Sequence, residues 1–516
     1  MAKNWHLHVR SNVSTPPLLA SAFATALLLL AGAGCASRPL PVTAPIGAAN
    51  QALSRDLDRT FTAPVLDRTL WAVVVQSLGN GEILYRLNPS KLVMPASNMK
   101  IVTLAAAAER LGWDYTFETR LLATGPVERG VLRGDLVVVG SGDPTINGRG
   151  GSPRRVFVDW AARLKAAGIT AIEGRIVGDD RAFEAEGLGQ GWAWDYLAYG
   201  YAAKTSALQY NEDLVEIVIR PGAAVGAAAS IEIRPGGNGL TVDNAVTTSA
   251  AGGRPDLTQQ RLPGSGRLRV AGSVPLGSGE IARTASVDAP ALFFLHELHD
   301  TLIGEGVLIR NAPLAWNQAA TPPALDTARL LFVHRSPPLS EVATVLMKAS
   351  QNLYAETLLR ALSAHTGTGT AQAGQKIVRE VLTGWGVPPD GYVLADGSGL
   401  SRYNYVTADT LVRILRQMAA DTRHAAAFEA TLPVVGKDGT LARRMRSTRA
   451  EGNVKAKTGS IANVRALSGY VTTLDGERLV FSIIANNFNV PTETIDAAVD
   501  AAVVRLAEFS RKPPGS

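Results

Sequence analysis

Two short apolar runs flank a turn signal near the start of the chain. Trp71 to Gln76 and Ile83 to Arg86 lie on either side of Asn80-Gly81, a pair that favours a tight hairpin turn. From Ser97 onwards, apolar residues recur every three or four positions, which is the period of a helix with one buried face. Gly112 ends this pattern. The sequence therefore predicts a β-hairpin followed by a helix that begins near Ser97.

The sequence pattern changes between about 121 and 325. Short β-like runs such as 136–139 and 231–233 alternate with glycine-rich turns. Two further stretches, 222–229 and 236–239, are rich in glycine and alanine. This pattern predicts one or two inserted, mostly β modules.

Helical periodicity returns after the inserted segment. The pattern predicts helices at 339–349, 353–362 and 493–509. Two apolar runs, 466–473 and 479–485, predict strands joined across an Asp-Gly turn. These strands and the first strand of the chain can form one antiparallel sheet flanked by helices. The predicted fold class is α+β.

The composition is that of a globular chain long enough for two or three domains. Of its 516 residues, 46% are hydrophobic and 19% are charged, which excludes a disordered polypeptide. The formal net charge of +6 is spread along the chain without a basic stripe interleaved with aromatic residues, so no nucleic-acid partner is expected. A mildly basic surface suits an anionic polymer of the cell envelope.

The first 34 residues predict an export signal peptide. Lys3 and Arg10 supply its positive charge, and 18–34 is apolar and small but too short to span a bilayer comfortably. No later segment reaches about 18 uninterrupted apolar residues, so no further membrane span is expected. We therefore expect an exported protein of the periplasm or cell envelope.

Cys35 is the only cysteine of the sequence, which excludes a disulfide within the chain. It directly follows the apolar segment, and Ala33-Gly34-Cys35 resembles the lipobox of bacterial lipoproteins, although Gly32 stands where leucine is usual. Two alternatives stay open: lipidation of Cys35, which would anchor the protein to a membrane, and ordinary signal cleavage after 31–33. Residues 35–50 predict a tether.

Ser97 and Lys100 form the first pattern with chemical meaning. Residues three apart on a helix share a face, so the hydroxyl and the amine can touch. Serine becomes a nucleophile when a base takes its proton, and lysine is such a base only where burial or a nearby cation lowers its pKa. The plain alternative is a helix N-cap serine followed by a surface lysine. Among the lysines of the sequence, however, Lys100 alone has serine three positions earlier.

Two further motifs follow along the chain. In Ser350-Gln351-Asn352, the hydroxyl can relay a proton to a leaving group, and the amide can hold both the base and a substrate carbonyl; alone, this tripeptide equally suits a helix cap. In Lys457-Thr458-Gly459-Ser460, a strand would place Lys457 and Thr458 against a substrate carboxylate, with Gly459 leaving room for the substrate backbone. The Ser460 N–H would form an oxyanion hole together with that of Ser97.

Two lysine segments resemble the third motif only in part. Lys204-Thr205-Ser206 lacks the glycine. Lys455 would share a strand face with Lys457 and so line the same cleft, or else be an ordinary solvated lysine.

In this order, the three motifs resemble the signature S-x-x-K, S-D-N, K-T-G of the penicillin-binding and serine β-lactamase superfamily, with glutamine in place of aspartate in the second. The long interval before Ser350 is similar to that of the low-molecular-mass class C penicillin-binding proteins, the D-alanyl-D-alanine carboxypeptidase/endopeptidase family. The similarity includes 95–100, 396–402, 432–436, 438–441, 454–459 and 466–471.

The resemblance implies a transpeptidase-like domain in two parts, 51–120 and 326–516, interrupted by inserted mostly β domains over 121–325. It also implies hydrolysis of D-alanyl-D-alanine in peptidoglycan stem peptides, or of cross-links, through an acyl-enzyme on Ser97. Lys100 would be the base. No cofactor or metal is implied, and β-lactams would be covalent inhibitors.

Asp179 lies in Gly178-Asp179-Asp180, a segment similar to the one whose acidic residue faces the free amine of the stem peptide in that family. The alternative is an ordinary turn aspartate.

Three other functions remain as alternatives. A β-lactamase would use related motifs, but it would not need the long insertion. A non-catalytic penicillin-sensing or wall-binding module would not need Ser97, Lys100, Ser350 and Lys457 intact. A metallopeptidase is suggested only by His296-Glu297-Leu298-His299, which is one residue short of H-E-x-x-H and otherwise reads as an amphipathic helix.

Overall fold

The computed structural model describes residues 47–365 and 367–512. The signal segment and Cys35 lie outside the described residues, as does most of the tether. The helices are α1 Ala48–Phe61, α2 Met99–Leu111, α3 Arg155–Ala166, α4 Pro290–Gly304, α5 Leu339–Lys348, α6 Asn352–Ala364, α7 Ala371–Gly384, α8 Ala408–Ala420, α9 Ala425–Thr431 and α10 Thr492–Ala507.

The strands are β1 Leu70–Ser77, β2 Ile83–Leu87, β3 Glu118–Ala123, β4 Val127–Glu128, β5 Val131–Leu132, β6 Leu136–Val139, β7 Ala171–Ile172, β8 Ile176–Asp179, β9 Leu214–Arg220, β10 Ser230–Arg234, β11 Thr241–Ser249, β12 Asp256–Arg261, β13 Arg267–Pro275, β14 Ile281–Ser286, β15 Leu308–Ile309, β16 Leu314–Ala315, β17 Arg329–Arg335, β18 Tyr392–Val393, β19 Tyr405–Val406, β20 Lys455–Ile461, β21 Val464–Thr472 and β22 Arg478–Asn486.

A five-stranded antiparallel sheet joins the two ends of the described chain, in the order β2-β1-β22-β21-β20. Side chains alternate between its faces, as the period of a strand requires. In β1, Ala72 and Val74 pack into a core with α2 and α5 to α8, whereas Trp71, Val73 and Val75 face α1 and α10. The predicted α+β fold, with the first and terminal strands in one helix-flanked sheet, is thereby confirmed.

Helix α2 is central to the larger core. Every residue from Met99 to Ala108 is buried, so this helix is covered on all sides by its neighbours. Four consecutive alanines, 105–108, allow the surrounding helices to approach closely. Each large apolar side chain buried here contributes about 1.5–3 kcal/mol relative to exposure.

The segment between α2 and α5 forms its own sheets. Their orders are β16-β8-β6-β3-β17, β15-β7-β5-β4, β10-β9-β14 and β11-β13-β12, and helices α3 and α4 pack with them in a separate core. Strand β3 pairs antiparallel with β17, and the Phe117 N–H donates to Ser336 Oγ at 2.9 Å. The chain therefore enters and leaves this segment at adjacent positions. In the part of the chain that the structure describes, no helix is long and apolar enough to cross a membrane.

Candidate active site

The backbone before α2 holds Ser97 in a strained turn. Residues 96–98 form a short 3₁₀ turn that runs directly into α2, and Ala96 has φ +46°. A non-glycine residue in this region costs about 1–3 kcal/mol and is found where the surroundings enforce it. The enforcing contact is close: a Cβ on Gly399 (φ +85°) would lie 1.8 Å from the Ala96 carbonyl oxygen. The loop around Gly399 therefore fixes the serine turn.

Lys100 lies one helical turn further along, fully buried beneath Ser97. Its Nζ donates to Ser97 Oγ at 2.9 Å, to Asn352 Oδ1 at 2.6 Å and to the Ser398 carbonyl at 2.8 Å. Two of these three partners can only accept. When the amine is neutral, its two hydrogens remain with Asn352 and Ser398, and its lone pair is left for the Ser97 hydroxyl hydrogen. The geometry is that of a base aimed at a nucleophile.

Burial also makes this amine a usable base. Desolvation lowers the pKa of Lys100 to about 7, against the opposing effect of the Asp396 and Glu356 carboxylates. Glu356 shapes the loop above: its Oε1 accepts from the N–H groups of Gly397 and Ser398 at 3.0 and 2.8 Å. The carbonyl that holds Lys100 is therefore fixed by a buried carboxylate.

The second hydroxyl is bonded to the second buried lysine. Lys457 Nζ donates to Ser350 Oγ at 2.8 Å and to the Thr458 carbonyl at 2.9 Å. Desolvation, followed by the charge of Lys100, lowers the pKa of Lys457 well below its usual range. Ser350 has φ +57°, a second strained non-glycine position beside the first.

Strand β20 packs tightly against the serine turn. Asn98 Nδ2 donates to the Lys457 carbonyl at 3.0 Å, and a Cβ on Gly459 would lie 2.6 Å from the Pro95 carbonyl oxygen. The glycine is thus required by the contact between strand and turn, in addition to any role in admitting substrate. Thr458 Oγ1 shares a hydrogen bond of 2.7 Å with Thr440 Oγ1, and Thr440 was not among the predicted site residues.

These groups open into a cleft of about 690 Å³. Ser97, Ser350, Asn352 and Ser460 lie among its lining residues. The inserted segment closes one side with two aromatic residues, Tyr196 and Tyr201, whose rings are 5.7 Å apart.

Asn352 links this wall to the base, because its Nδ2 donates to the Tyr201 carbonyl at 2.7 Å. Sequence reasoning missed both tyrosines. The aromatic run at 192–201, in an otherwise glycine-rich insertion, was the available signal.

The structure does not bring Asp179 to this cleft. Its buried carboxylate is bound in bidentate fashion by Arg181, with both contacts at 2.8 Å, and it is not among the residues that line the cleft. Recognition of a substrate amine by Asp179 stays a prediction that this ion pair does not favour. Lys455 is also engaged elsewhere, in an ion pair of 2.9 Å with Glu429.

The histidine segment of the metallopeptidase alternative lies within α4. Arg154 Nε donates to the buried carboxylate of Glu297 at 2.9 Å. Within the described ranges, the cluster of three His, Cys, Asp or Glu side chains close enough to share a metal ion is Glu109, Asp421 and His424, which does not include this segment. Arg423 already donates to Glu109 and Asp421.

Comparison with known proteins places this architecture in a family. The model of the D-Ala-D-Ala carboxypeptidase 3 (S13) family matches residues 53–509. A D-alanyl-D-alanine carboxypeptidase of Actinomadura sp. (strain R39) is 37% identical over 477 residues, covering 90% of this chain and 86% of the relative. The D-alanyl-D-alanine carboxypeptidase DacB of Haemophilus influenzae is 27% identical, and the alignment covers 81% of this chain and 85% of the relative.

Among solved structures, penicillin binding protein 4 (dacB) from Haemophilus influenzae is similar, with a TM-score of 0.76 at 25% identity, over 88% of this chain and 99% of that one. The family match spans both parts of the central sheet and the whole insertion between them. The chain belongs to the D-Ala-D-Ala carboxypeptidase 3 (S13) family.

Proposed function

We propose that this protein is a serine D-alanyl-D-alanine carboxypeptidase that works through an acyl-enzyme on Ser97. The observation that carries the assignment is the 2.9 Å contact between Ser97 Oγ and the Nζ of Lys100, a buried amine whose pKa is lowered to about 7. Near neutral pH, a substantial fraction of this amine is unprotonated, which is the form that accepts the hydroxyl proton.

In acylation, Ser97 Oγ bonds to the carbonyl carbon between two D-alanines while its proton passes to Lys100. The oxyanion accepts hydrogen bonds from the N–H groups of Ser97 and Ser460. The carbon–nitrogen bond then breaks, and the proton that Lys100 took passes through Ser350 to the leaving amine. Water finally hydrolyses the ester and regenerates the Ser97 hydroxyl.

Substrate recognition rests on the terminal carboxylate. Lys457 and Thr458 would bind it, and Gly459 keeps the strand close to the serine turn. Asn352 holds Lys100 and the Tyr201 wall together. Endopeptidase activity uses the same chemistry on a D-alanyl cross-link, with a side-chain amine as the leaving group; we propose it as a second activity of this cleft.

The direct test is incubation with a peptide ending in D-alanyl-D-alanine and, separately, with purified cross-linked muropeptides, followed by product masses. Loss of one D-alanine residue supports the carboxypeptidase, and conversion of dimers to monomers supports the endopeptidase. If the folded protein releases neither product, the proposed function is wrong. Rapid turnover of penicillin would instead favour the β-lactamase alternative.

We predict that Lys457→Ala weakens recognition of carboxylate-bearing substrates by about 2–5 kcal/mol, because it removes a buried amine whose charged form a bound carboxylate would stabilise. The measurement is kcat/KM on the same peptide with a free and with an amidated C-terminus. On the amidated peptide, which has no terminal carboxylate, kcat/KM of the variant should differ little from that of the wild type. Lys455→Ala is the matched control, since Lys455 is already paired with Glu429. Equal losses on both peptides would remove Lys457 from carboxylate recognition.

For the chain outside the cleft, we propose a signal peptide at 1–34, a tether at 35–50, and a transpeptidase-like domain at 51–120 and 326–516 interrupted by inserted domains at 121–325. The pairing of β3 with β17, two strands that lie at the proposed boundaries, brings the two junctions together and supports an insertion at this point of the chain. Export to the periplasm or cell envelope follows from the signal segment and from a peptidoglycan substrate.

Lipidation of Cys35 is the finer proposal. If Cys35 is lipidated, the native protein should sediment with membranes, and Cys35→Ser should release it or block its maturation. Membrane fractionation with N-terminal mass analysis decides the question. Wild-type protein that is wholly soluble and begins near Gly34 would show ordinary cleavage.

A further inference from the structure

A second cleft, of about 620 Å³, lies between the inserted segment and the connection from α6 to α7. It is lined by residues 180–181, 183–185, 204–206, 288–292 and 315–318, and by Thr368 of the α6–α7 connection. It shares no lining residue with the Ser97 cleft. One of its segments is Lys204-Thr205-Ser206, the partial copy of the third motif.

Most charges on this cleft are already balanced within the protein. Arg181 pairs with Asp179 at 2.8 Å and packs on the Trp316 ring at 3.8 Å. Asp288 pairs with Arg261 at 2.7 Å, and Glu184 with Arg360 at 3.1 Å. Because these charged groups already have partners within the protein, they are not available to bind a ligand.

Three polar groups on the same cleft are not balanced. No carboxylate in the described part of the chain forms an ion pair with the half-buried Lys204. The Thr205 side-chain oxygen has no hydrogen-bond partner within the described residues, although Thr205 is only 3% exposed. Among the described residues Asp180 forms no ion pair, because the neighbouring Arg181 pairs with Asp179, and its carboxylate accepts a hydrogen bond from Ser206 Oγ at 3.2 Å.

A ligand in the cleft can supply partners for these three groups. A buried hydroxyl left without a hydrogen bond is destabilising. Burial raises the pKa of the Asp180 carboxyl, and the hydrogen bond from Ser206 and the charge of Arg181 oppose this shift only in part. An ammonium with an adjacent hydroxyl suits a carboxylate ligand, and a carboxylate suits an ammonium ligand.

We propose that this second cleft binds the zwitterionic head of an α-amino acid, with the ligand carboxylate on Lys204 and Thr205 and the ligand ammonium on Asp180. The chemistry is that of a free amino acid. D-alanine is the natural candidate, a choice that rests on the proposed function because that reaction releases it.

Calorimetric titration of the full chain with D-alanine tests the proposal. N-acetyl-D-alanine, which lacks the ammonium, and D-alaninamide, which lacks the carboxylate, serve as probes of each end, and L-alanine tests whether the D configuration matters. We expect binding of D-alanine and at least tenfold weaker binding of both one-ended probes. Equal binding of L-alanine would assign the cleft to amino acids in general, which the proposed chemistry covers.

Variants locate the binding. Lys204→Ala and Asp180→Asn should each weaken D-alanine binding at least tenfold, and Thr205→Ser, which keeps the hydroxyl, should change it less than about twofold. Lys455→Ala, which changes a lysine paired with Glu429 and outside the lining of both clefts, should leave it unchanged. Binding lost in Lys457→Ala but retained in Lys204→Ala would place the ligand in the Ser97 cleft and overturn the proposal, as would no binding to folded wild-type protein. Because D-alanine release is assayed separately, a failure of the proposed catalytic function would be seen independently of this result.

Discussion

Ser97→Ala is expected to abolish D-alanine release, with a fall in kcat on the order of a million-fold, the size typical of removing the nucleophile of a serine peptidase. The substitution removes the only atom that bonds to the substrate carbonyl. Lys100 keeps its two other partners, Asn352 Oδ1 and the Ser398 carbonyl, so no buried amine is left without acceptors.

The fold should therefore survive this change. A single half-exposed hydroxyl contributes within about 1 kcal/mol to stability. Thermal unfolding of the variant should match that of wild type, which separates loss of chemistry from loss of structure. Ser460→Ala is the matched control: it removes a hydroxyl from the same cleft but retains the backbone N–H proposed for the oxyanion. Residual hydrolysis in Ser97→Ala near the wild-type rate would end the assignment of Ser97.

Lys100→Ala is expected to slow acylation by about 10²–10⁴-fold, the usual contribution of a general base. The pH dependence gives a sharper readout. In the wild type, kcat/KM should rise with pH through about 7, because the neutral amine is the reactive form and its pKa is lowered to that value by burial. The direction follows from the proton count: below this pKa the amine is charged and has no lone pair for the hydroxyl.

Stopped-flow acylation by a chromogenic penicillin across this pH range measures both effects. The rise should disappear in Lys100→Ala, and Lys100→Arg should not restore the rate because a guanidinium stays protonated. A wild-type profile that is flat through neutral pH, or a variant that retains the full rate, would assign the base elsewhere.

The regular elements of the central sheet were predictable because their patterns are local. The apolar run of β1 and the apolar residues that recur along α2 identify a strand and a helix locally, although the structure buries both elements on more than one face. The contact between Ser97 and Lys100 was predictable for the same reason, since residues three apart on a helix are neighbours.

The remaining partners of Lys100 come from distant parts of the chain. Asn352 lies at the start of α6 and Ser398 in a loop beyond α7, so only the packing of the folded chain brings their oxygens to one amine. Local spacing carries no trace of such contacts. The Ser350-Gln351-Asn352 motif predicted that the Asn352 amide holds the base, but no motif gave a role to the Ser398 carbonyl.

At two positions, the structure gives a residue a different role from the one that its motif predicts. Gly459 was interpreted as room for substrate, yet the Pro95 carbonyl already occupies the space of its Cβ. Asp179 was matched to an amine-binding carboxylate, yet the adjacent Arg181 binds it first. In both cases the residue contacts another group of the protein rather than a substrate, and the motif alone does not reveal that contact.

The most direct test of the account is the site of covalent attachment of a labelled penicillin. After incubation, digestion and mass spectrometry of the labelled peptide, the account predicts an adduct on Ser97 and on no other residue. Lys100, one turn along the helix, provides the base for this reaction at 2.9 Å. An adduct on Ser350, Ser398 or Ser460, or none on folded protein, would contradict the nucleophile assignment and favour a non-catalytic binding module.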